Sequence, residues 1–193
     1  MKRNCSKSSV RFDANRCELD SHADTVVAGS NFVMLEDTGK SVTVSGFTSQ
    51  VGEVKSIPVA SCATLYTCPS TGIRYTLVCH QSLYFGDKLS GNPSLLNPNQ
   101  LRLNGIGVFD TPKQFDSGSS HSLVAGELTI PLDLQGVCSG FESRKPTDRE
   151  LEECPRIDLT SDLEWEPGSD FLARREADAI TRNGYYVKAS AQK

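Results

Sequence analysis

The sequence has no apolar run of about 18 residues, so no helix able to cross a membrane is expected. Its opening residues, Met1 to Lys7, are basic but lead into no apolar stretch, and no secretory signal is expected. There is no basic surplus: 20 Lys and Arg stand against 24 Asp and Glu, for a net charge of −4. Nucleic-acid binders usually carry a positive stripe, so binding of nucleic acid by this segment is not expected. The cysteines at 5, 17, 62, 68, 79, 138 and 154 are odd in number and lack the paired C-x2-C knuckle of common zinc sites. Without a secretory signal, they favour free thiols in a reducing compartment over a disulfide framework. No internal repeat of solenoid length occurs.

What is present is 193 residues, 37 % hydrophobic and 23 % charged, enough for one domain with a core plus an extension. The first 140 or so residues read as β-rich. Strand signals include Val10-Arg11-Phe12, Cys17-Glu18-Leu19, Val26-Val27, Phe32 to Leu35 and the alternating Val42-Thr43-Val44. Asp37-Thr38-Gly39-Lys40 reads as a turn between two of them. Gly46 to Gly52 reads as a hairpin tip, with glycine at both ends. In Val54 to Leu65, Pro58 argues for an edge or bulge. Ile73 to Cys79 is a strong strand, Leu83 to Phe85 extends the pattern, and Ile106 to Phe109 and Leu128 to Leu132 are later strands. Pro98 to Asn104 reads as a short helix, with proline at its first position and Gly105 past its end.

Beyond about Phe141 the character changes. Thr147-Asp148-Arg149-Glu150 fits a capping box, with a brief helix ending before Pro155. From Asp148 to Asp170 there are nine acidic residues and two arginines, as in a solvated, loosely ordered linker. Phe171 to Ile180 fits only a weak helix. The expected organisation is therefore a domain over 1–140 and an acidic linker or tail with short helices over 141–193.

The segment that carries chemistry is Leu19-Asp20-Ser21-His22-Ala23-Asp24-Thr25, followed by apolar Val26-Val27. A strand delivers an aspartate into a tight turn with a hydroxyl residue and a small residue. This resembles the active loop of retropepsin-like aspartic proteases, whose pattern is apolar-Asp-Ser/Thr-Gly-Ala. It is most similar to the protease region of copia-type retrotransposon polyproteins, where an Asp-Ser-His-Ala-Asp-Thr version recurs. The second family element, two apolar residues, usually a glycine, and a short helix, is matched by Leu95-Leu96-Asn97 and Pro98 to Asn104. The resemblance covers about Arg16 to Val108, and Thr160 to Pro167 is similar to polyprotein sequence downstream of such proteases.

The resemblance implies an all-β, closed-barrel fold with one short helix, and an aspartic endopeptidase that processes Gag-Pol-like chains. Two carboxylates held close cannot both ionise easily, so they share a proton. One activates water while the other donates to the scissile carbonyl. Only one such loop is present, so the second aspartate must come from an identical chain in an isologous homodimer. By resemblance Asp20 is catalytic and Ser21 ties the two loops together across the axis. His22, Ala23, Asp24, Gly46, Phe47 and Gly52 would bind substrate, the last three as a flap that excludes water. No cofactor or metal is implied; the partners are a polypeptide substrate and a second copy. The cytoplasm or virus-like particles would be the setting, with the chain a slice of a longer polyprotein.

This sequence departs from the family pattern at three places. His22 and Asn97 each stand where the family has glycine, and the arginine that commonly follows the second glycine is missing, leaving Arg102 as the nearest partner for Asp24. Those departures motivate an alternative, a catalytically inactive retropepsin-fold interaction module left by a transposon. Blander readings also exist. The Asp20 turn could be a plain Asx-turn, Asp20, His22 and Asp24 could bind metal, and Cys62, Cys68, Cys79 and His80 form a conceivable zinc set. His121 reads as a surface histidine and Trp165 as a docking or linker residue.

Overall fold

The computed structural model describes residues 14–46 and 52–169. The strand expected at Val10 to Phe12, Phe47 of the expected flap, and the helix expected from Phe171 to Ile180 lie outside the described residues.

Among the described residues the fold is all-β, with two six-residue α-helices and a 3-10 turn at Asp87–Leu89. In chain order come β1 (Arg16–Leu19), β2 (Val27–Gly29), β3 (Val33–Ser45), β4 (Glu53–Thr67), β5 (Arg74–Gly86), β6 (Ser94–Leu96), α1 (Pro98–Leu103), β7 (Gly107–Phe109), β8 (Ser122–Ala125), β9 (Leu128–Pro131), β10 (Asp133–Gln135), β11 (Cys138–Glu142), α2 (Asp148–Glu153) and β12 (Arg156–Asp158). Nine strands form one sheet in the order β10-β11-β1-β6-β2-β5-β4-β3, with β12 added to β5; β7-β8-β9 form a second sheet. Among the described residues no pairing joins β10 to β3, so the large sheet is open where a closed barrel was expected. Its β3 end is a solvent edge, because most of Val33–Ser45 is exposed.

Both sheets share one core. Leu96 and Leu101 from the β6–α1 unit, Phe32, Leu77, Leu123 and Ile130 are all essentially buried and belong to one cluster. Each such side chain stabilises the fold by about 1.5–3 kcal/mol. Tyr66 meets Phe141 edge-on at 5.7 Å, fastening β11 to β4.

The turn expected at Asp37–Lys40 is replaced by a bulge, whereas the edge or bulge expected at Pro58 is found. Asp37–Lys40 does not end a strand; it is a bulge inside β3, opposite β4, where the register shifts between Asp37 and Ser41. Gly39 supplies a φ of 75°, and its N–H donates to Asp37 Oδ1 at 2.8 Å. Pro58 sits opposite Ser41 in β4, and β5 pairs with β4 only from Val59 onward. The missing proline N–H therefore falls where β4 has a single neighbour. Beyond it, β3 and β4 run on as a two-stranded arm closed by Gly46 N–H donating to Gly52 O at 3.2 Å.

Between Phe141 and Thr160 the described chain packs against the sheet instead of forming a loose linker. α2 is capped as expected: Thr147 Oγ1 accepts from Glu150 N–H, and Glu150 accepts from Thr147 N–H. β12 then lies parallel to β5, in register Arg156↔Thr76 to Asp158↔Val78, and Leu159 is fully buried. Three of its acids are paired with arginines. Glu150 binds Arg74 and Arg144, Glu153 binds Arg149, and Asp158 binds Arg156. Counting acids against arginines within the segment missed Arg74 and Arg144, which reach Glu150 from outside it.

Candidate active loop

β1 is buried between antiparallel β11 and parallel β6. The parallel register runs Cys17↔Ser94, Glu18↔Leu95, Leu19↔Leu96. It brings the two halves of the sequence pattern side by side. Asp20 N–H, the first residue past β1, donates to Leu96 O at 3.0 Å. Asp20 therefore leaves the sheet at a fixed height, at the carboxyl end of a strand held on both sides.

The turn that follows is tight and mostly outside the core. Asp20 Oδ1 accepts from His22 N–H at 2.8 Å, an Asx-turn. Its side chain is 35 % exposed, and the His22 ring, with Nδ1 3.9 Å from that oxygen, is 89 % exposed. Ser21 and Asp24 are also exposed, Ala23 is half-buried, and the chain re-enters the core at Thr25 and Val26. His22 costs the loop no backbone strain, since non-glycine residues with positive φ occur, among the described residues, at Ser56, Gln81 and His121.

Asn97 explains itself by its bonds. Its backbone is ordinary extended chain (φ −75°, ψ 116°), so tolerance of unusual angles is not what it supplies. Its Oδ1 accepts from Gln100 N–H at 2.7 Å and caps α1. Its Nδ2 donates to Ala23 O. One side chain thus starts the helix and tethers the loop; glycine could do neither. Leu96 is fully buried beneath it, and Leu95 is half-buried.

Gln100 is a support that sequence reasoning missed. It is buried, and its Oε1 accepts from Val26 N–H at 3.0 Å where the loop ends. Its Nε2 donates to Gln81 O at 3.3 Å, at a kink in β5 where Gln81 has a φ of 50°. That kink merges the two expected strands, Ile73–Cys79 and Leu83–Phe85, into one. The signal available was a polar residue on the inward face of α1, one turn after the N-cap.

The exit from the loop is tight. Gly29 N–H donates to Ser94 Oγ at 2.8 Å, and a Cβ at Gly29 would stand 3.0 Å from that oxygen. At the start of β1, Arg16 is fully buried, with Nη1 on Asp133 Oδ1 at 2.8 Å and Nε on Glu18 Oε1 at 3.3 Å. Its guanidinium and the Cys17 carbonyl occupy the space a Cβ at Gly140 would need, so β1 and β11 close only over glycine.

Arg102 is not the partner of Asp24. Its Nη2 binds Asp110 at 3.1 Å and its Nη1 binds Asn99, because α1 turns that face toward the chain after β7. The group that reaches Asp24 is Trp165, whose Nε1–H donates to the Asp24 carbonyl at 2.8 Å.

The alternative metal sets are dispersed. Asp20, His22 and Asp24 lie in a turn rather than on one strand face, and among the described residues no three His, Cys, Asp or Glu side chains gather as a metal-holding group. Cys62 and Cys79 face each other between β4 and β5 in the core, where burial pushes Cys62 up to about 12 and Cys79 well above the usual thiol range. His80 Nδ1 bonds Ser61 Oγ at 2.8 Å, and its Nε2 faces Arg156 and Asp158. All six described cysteines carry free thiols. His121 is buried, bonded through Nε2 to Ser139 Oγ at 2.9 Å, and is not a surface residue. A cavity of about 490 Å³ lies against α2, but Arg74, Arg149, Glu150 and Glu153 on its wall are already paired with one another or with Arg144.

No protein-family model, no curated protein and no solved structure matches this chain. Among the described residues no helix is long and apolar enough to cross a membrane.

Proposed function

We propose that this chain is one half of an aspartic endopeptidase of the retropepsin-like type, acting as a homodimer on a retrotransposon Gag-Pol-like polyprotein. The observation that carries the reading is the bond from Asp20 N–H to Leu96 O, with the Asn97 tether to Ala23 beside it. Two sequence elements more than seventy residues apart, each resembling a part of one family, are neighbours in parallel register around one half-buried carboxylate. The hairpin closed by Gly46 and Gly52 fits the role of a flap. In the dimer, Asp20 and the partner's Asp20 share one proton. The ionised member takes a proton from water, and the protonated member donates to the peptide carbonyl. Ser21, exposed beside Asp20, is available to bond across the axis. The setting that goes with this reading is the cytoplasm or a virus-like particle.

The second reading, a catalytically inactive interaction module, is favoured by His22 in place of glycine. Against it stand the ring's exposure and the ordinary backbone at that position. The test is peptide cleavage at mildly acidic pH by wild type and Asp20→Asn. The protease reading expects a loss of at least about a hundredfold. Cleavage that survives in Asp20→Asn refutes it; pepstatin-sensitive cleavage by wild type refutes the inactive module.

A further inference from the structure

We infer that the segment Thr160–Trp165 is a strap that docks on the active loop, and that Trp165 is a positioning residue for it. The base of the strap is firmly held. Leu159 N–H donates to Val78 O at 2.7 Å, and buried Thr160 donates through Oγ1 to His80 O at 2.8 Å. Gln81 Nε2 then donates to Asp162 O at 3.1 Å, so the strap is tied at the same β5 kink that Gln100 grips from the other side. From there Glu164 pairs with Lys40 at the β3 bulge, and Trp165 lands on the Asp24 carbonyl.

The strap completes the support of the turn. Ala23 O is taken by Asn97 and Val26 N–H by Gln100, both from the β6–α1 unit. Asp24 O, between them, is taken by the indole N–H of a residue 141 positions further along the chain. With Arg102 engaged by Asp110, Trp165 is the side chain that braces this part of the loop. A tryptophan suits this role because it fixes a hydrogen bond with only two rotatable side-chain bonds, at low entropic cost. The Lys40–Glu164 pair is open to solvent at both ends and acts as a weak latch, sensitive to salt. The docking stands on these contacts alone; its consequence for catalysis rests on the reading above.

Trp165 is the sole tryptophan of the chain, so its fluorescence reports docking without any assay of activity. In the full chain, Lys40→Glu is expected to red-shift the emission and raise acrylamide quenching, and Lys40→Glu with Glu164→Lys to restore both. Trp165→Phe keeps a ring but loses the donor. It is expected to speed amide hydrogen exchange over Asp20 to Val26 by about three- to tenfold, the value of one hydrogen bond, leaving exchange in β4 and β5 unchanged. Emission in folded wild type equal to that of the urea-unfolded chain overturns the docking. Equal loop exchange in wild type and Trp165→Phe overturns the positioning role. If wild type cleaves peptides, kcat falls in Trp165→Phe with KM unchanged, and an unaltered kcat overturns the positioning role as well. If wild type does not cleave, the protease reading falls and loop exchange alone decides the strap.

Discussion

Asp20 and Glu150 are both carboxylates held near the start of a turn, and the protein treats them in opposite ways. Glu150 is 8 % exposed and accepts from Arg74, twice from Arg144, and from the N–H and Oγ1 of Thr147. The Arg144 bonds, then the Thr147 N–H, hold its carboxyl well below the usual carboxylate range. Asp20 is 35 % exposed, takes one local N–H, and is positioned through its backbone. A carboxylate surrounded by cations is locked into one protonation state and serves the fold. One carried on a rigid backbone with its side chain open retains room for water, a substrate carbonyl or a second carboxylate. The difference separates a structural acid from a candidate chemical one even though both lie in acidic, turn-rich sequence.

That contrast can be broken by loosening the packing beneath the loop. Leu96→Ala empties a fully buried site directly under the loop and is expected to destabilise the protein by about 3 kcal/mol, read as a lower urea midpoint with unchanged slope. A loss below about 1 kcal/mol would mean that the Leu96 side chain does not pack as a core residue beneath the loop.

The structural acid gives the next effect. The folded value of Glu150 is depressed, so its stabilisation is complete above the unfolded carboxylate value near 4.5 and is lost as pH falls below it. Glu150→Gln is therefore expected to lower the urea midpoint by a constant amount above about pH 5, and the gap to wild type should shrink on acidification. A gap that widens toward low pH would contradict the arginine-saturated assignment.

A smaller change sharpens the loop side. Asn97→Asp keeps the acceptor that caps α1 but deletes the donor to Ala23 O. It is expected to cost about 1–2 kcal/mol and to speed hydrogen exchange in Ala23 to Val26, while Gln100 N–H stays protected. Loss of protection at Gln100 would show that the cap, not the tether, is what Asn97 supplies.

Much of this site is legible in the sequence because its signals are local. Proline in and glycine out mark α1, Thr147 and Glu150 mark α2, and Gly46 and Gly52 do bond across a hairpin base. The Asp20 loop and the Leu95-Leu96-Asn97 element both stand out in the sequence, and they are adjacent in the fold. What escapes depends on contacts distant in sequence. β11 and β12 are five and three residues long, too short for a periodic pattern, and are made strands by their neighbours β1 and β5. Arg16 carries no local mark of burial and is fully buried because Glu18 and Asp133 meet it. Trp165 sits in a run of acids with no local reason to touch Asp24, 141 residues away. Arg102 is the nearest arginine to Asp24 by proximity along α1, and the direction of that helix face takes it to Asp110 instead.

The proposed shared site, with one catalytic Asp20 from each chain, is tested most directly by mixing. Wild type is allowed to exchange subunits with an equal amount of Asp20→Asn at concentrations that keep all chains dimeric, and peptide cleavage is measured. Random pairing leaves half of the wild-type chains in mixed dimers, so activity should fall by about half. Activity that is unaffected by the added variant, or that the variant shows by itself, would contradict the account.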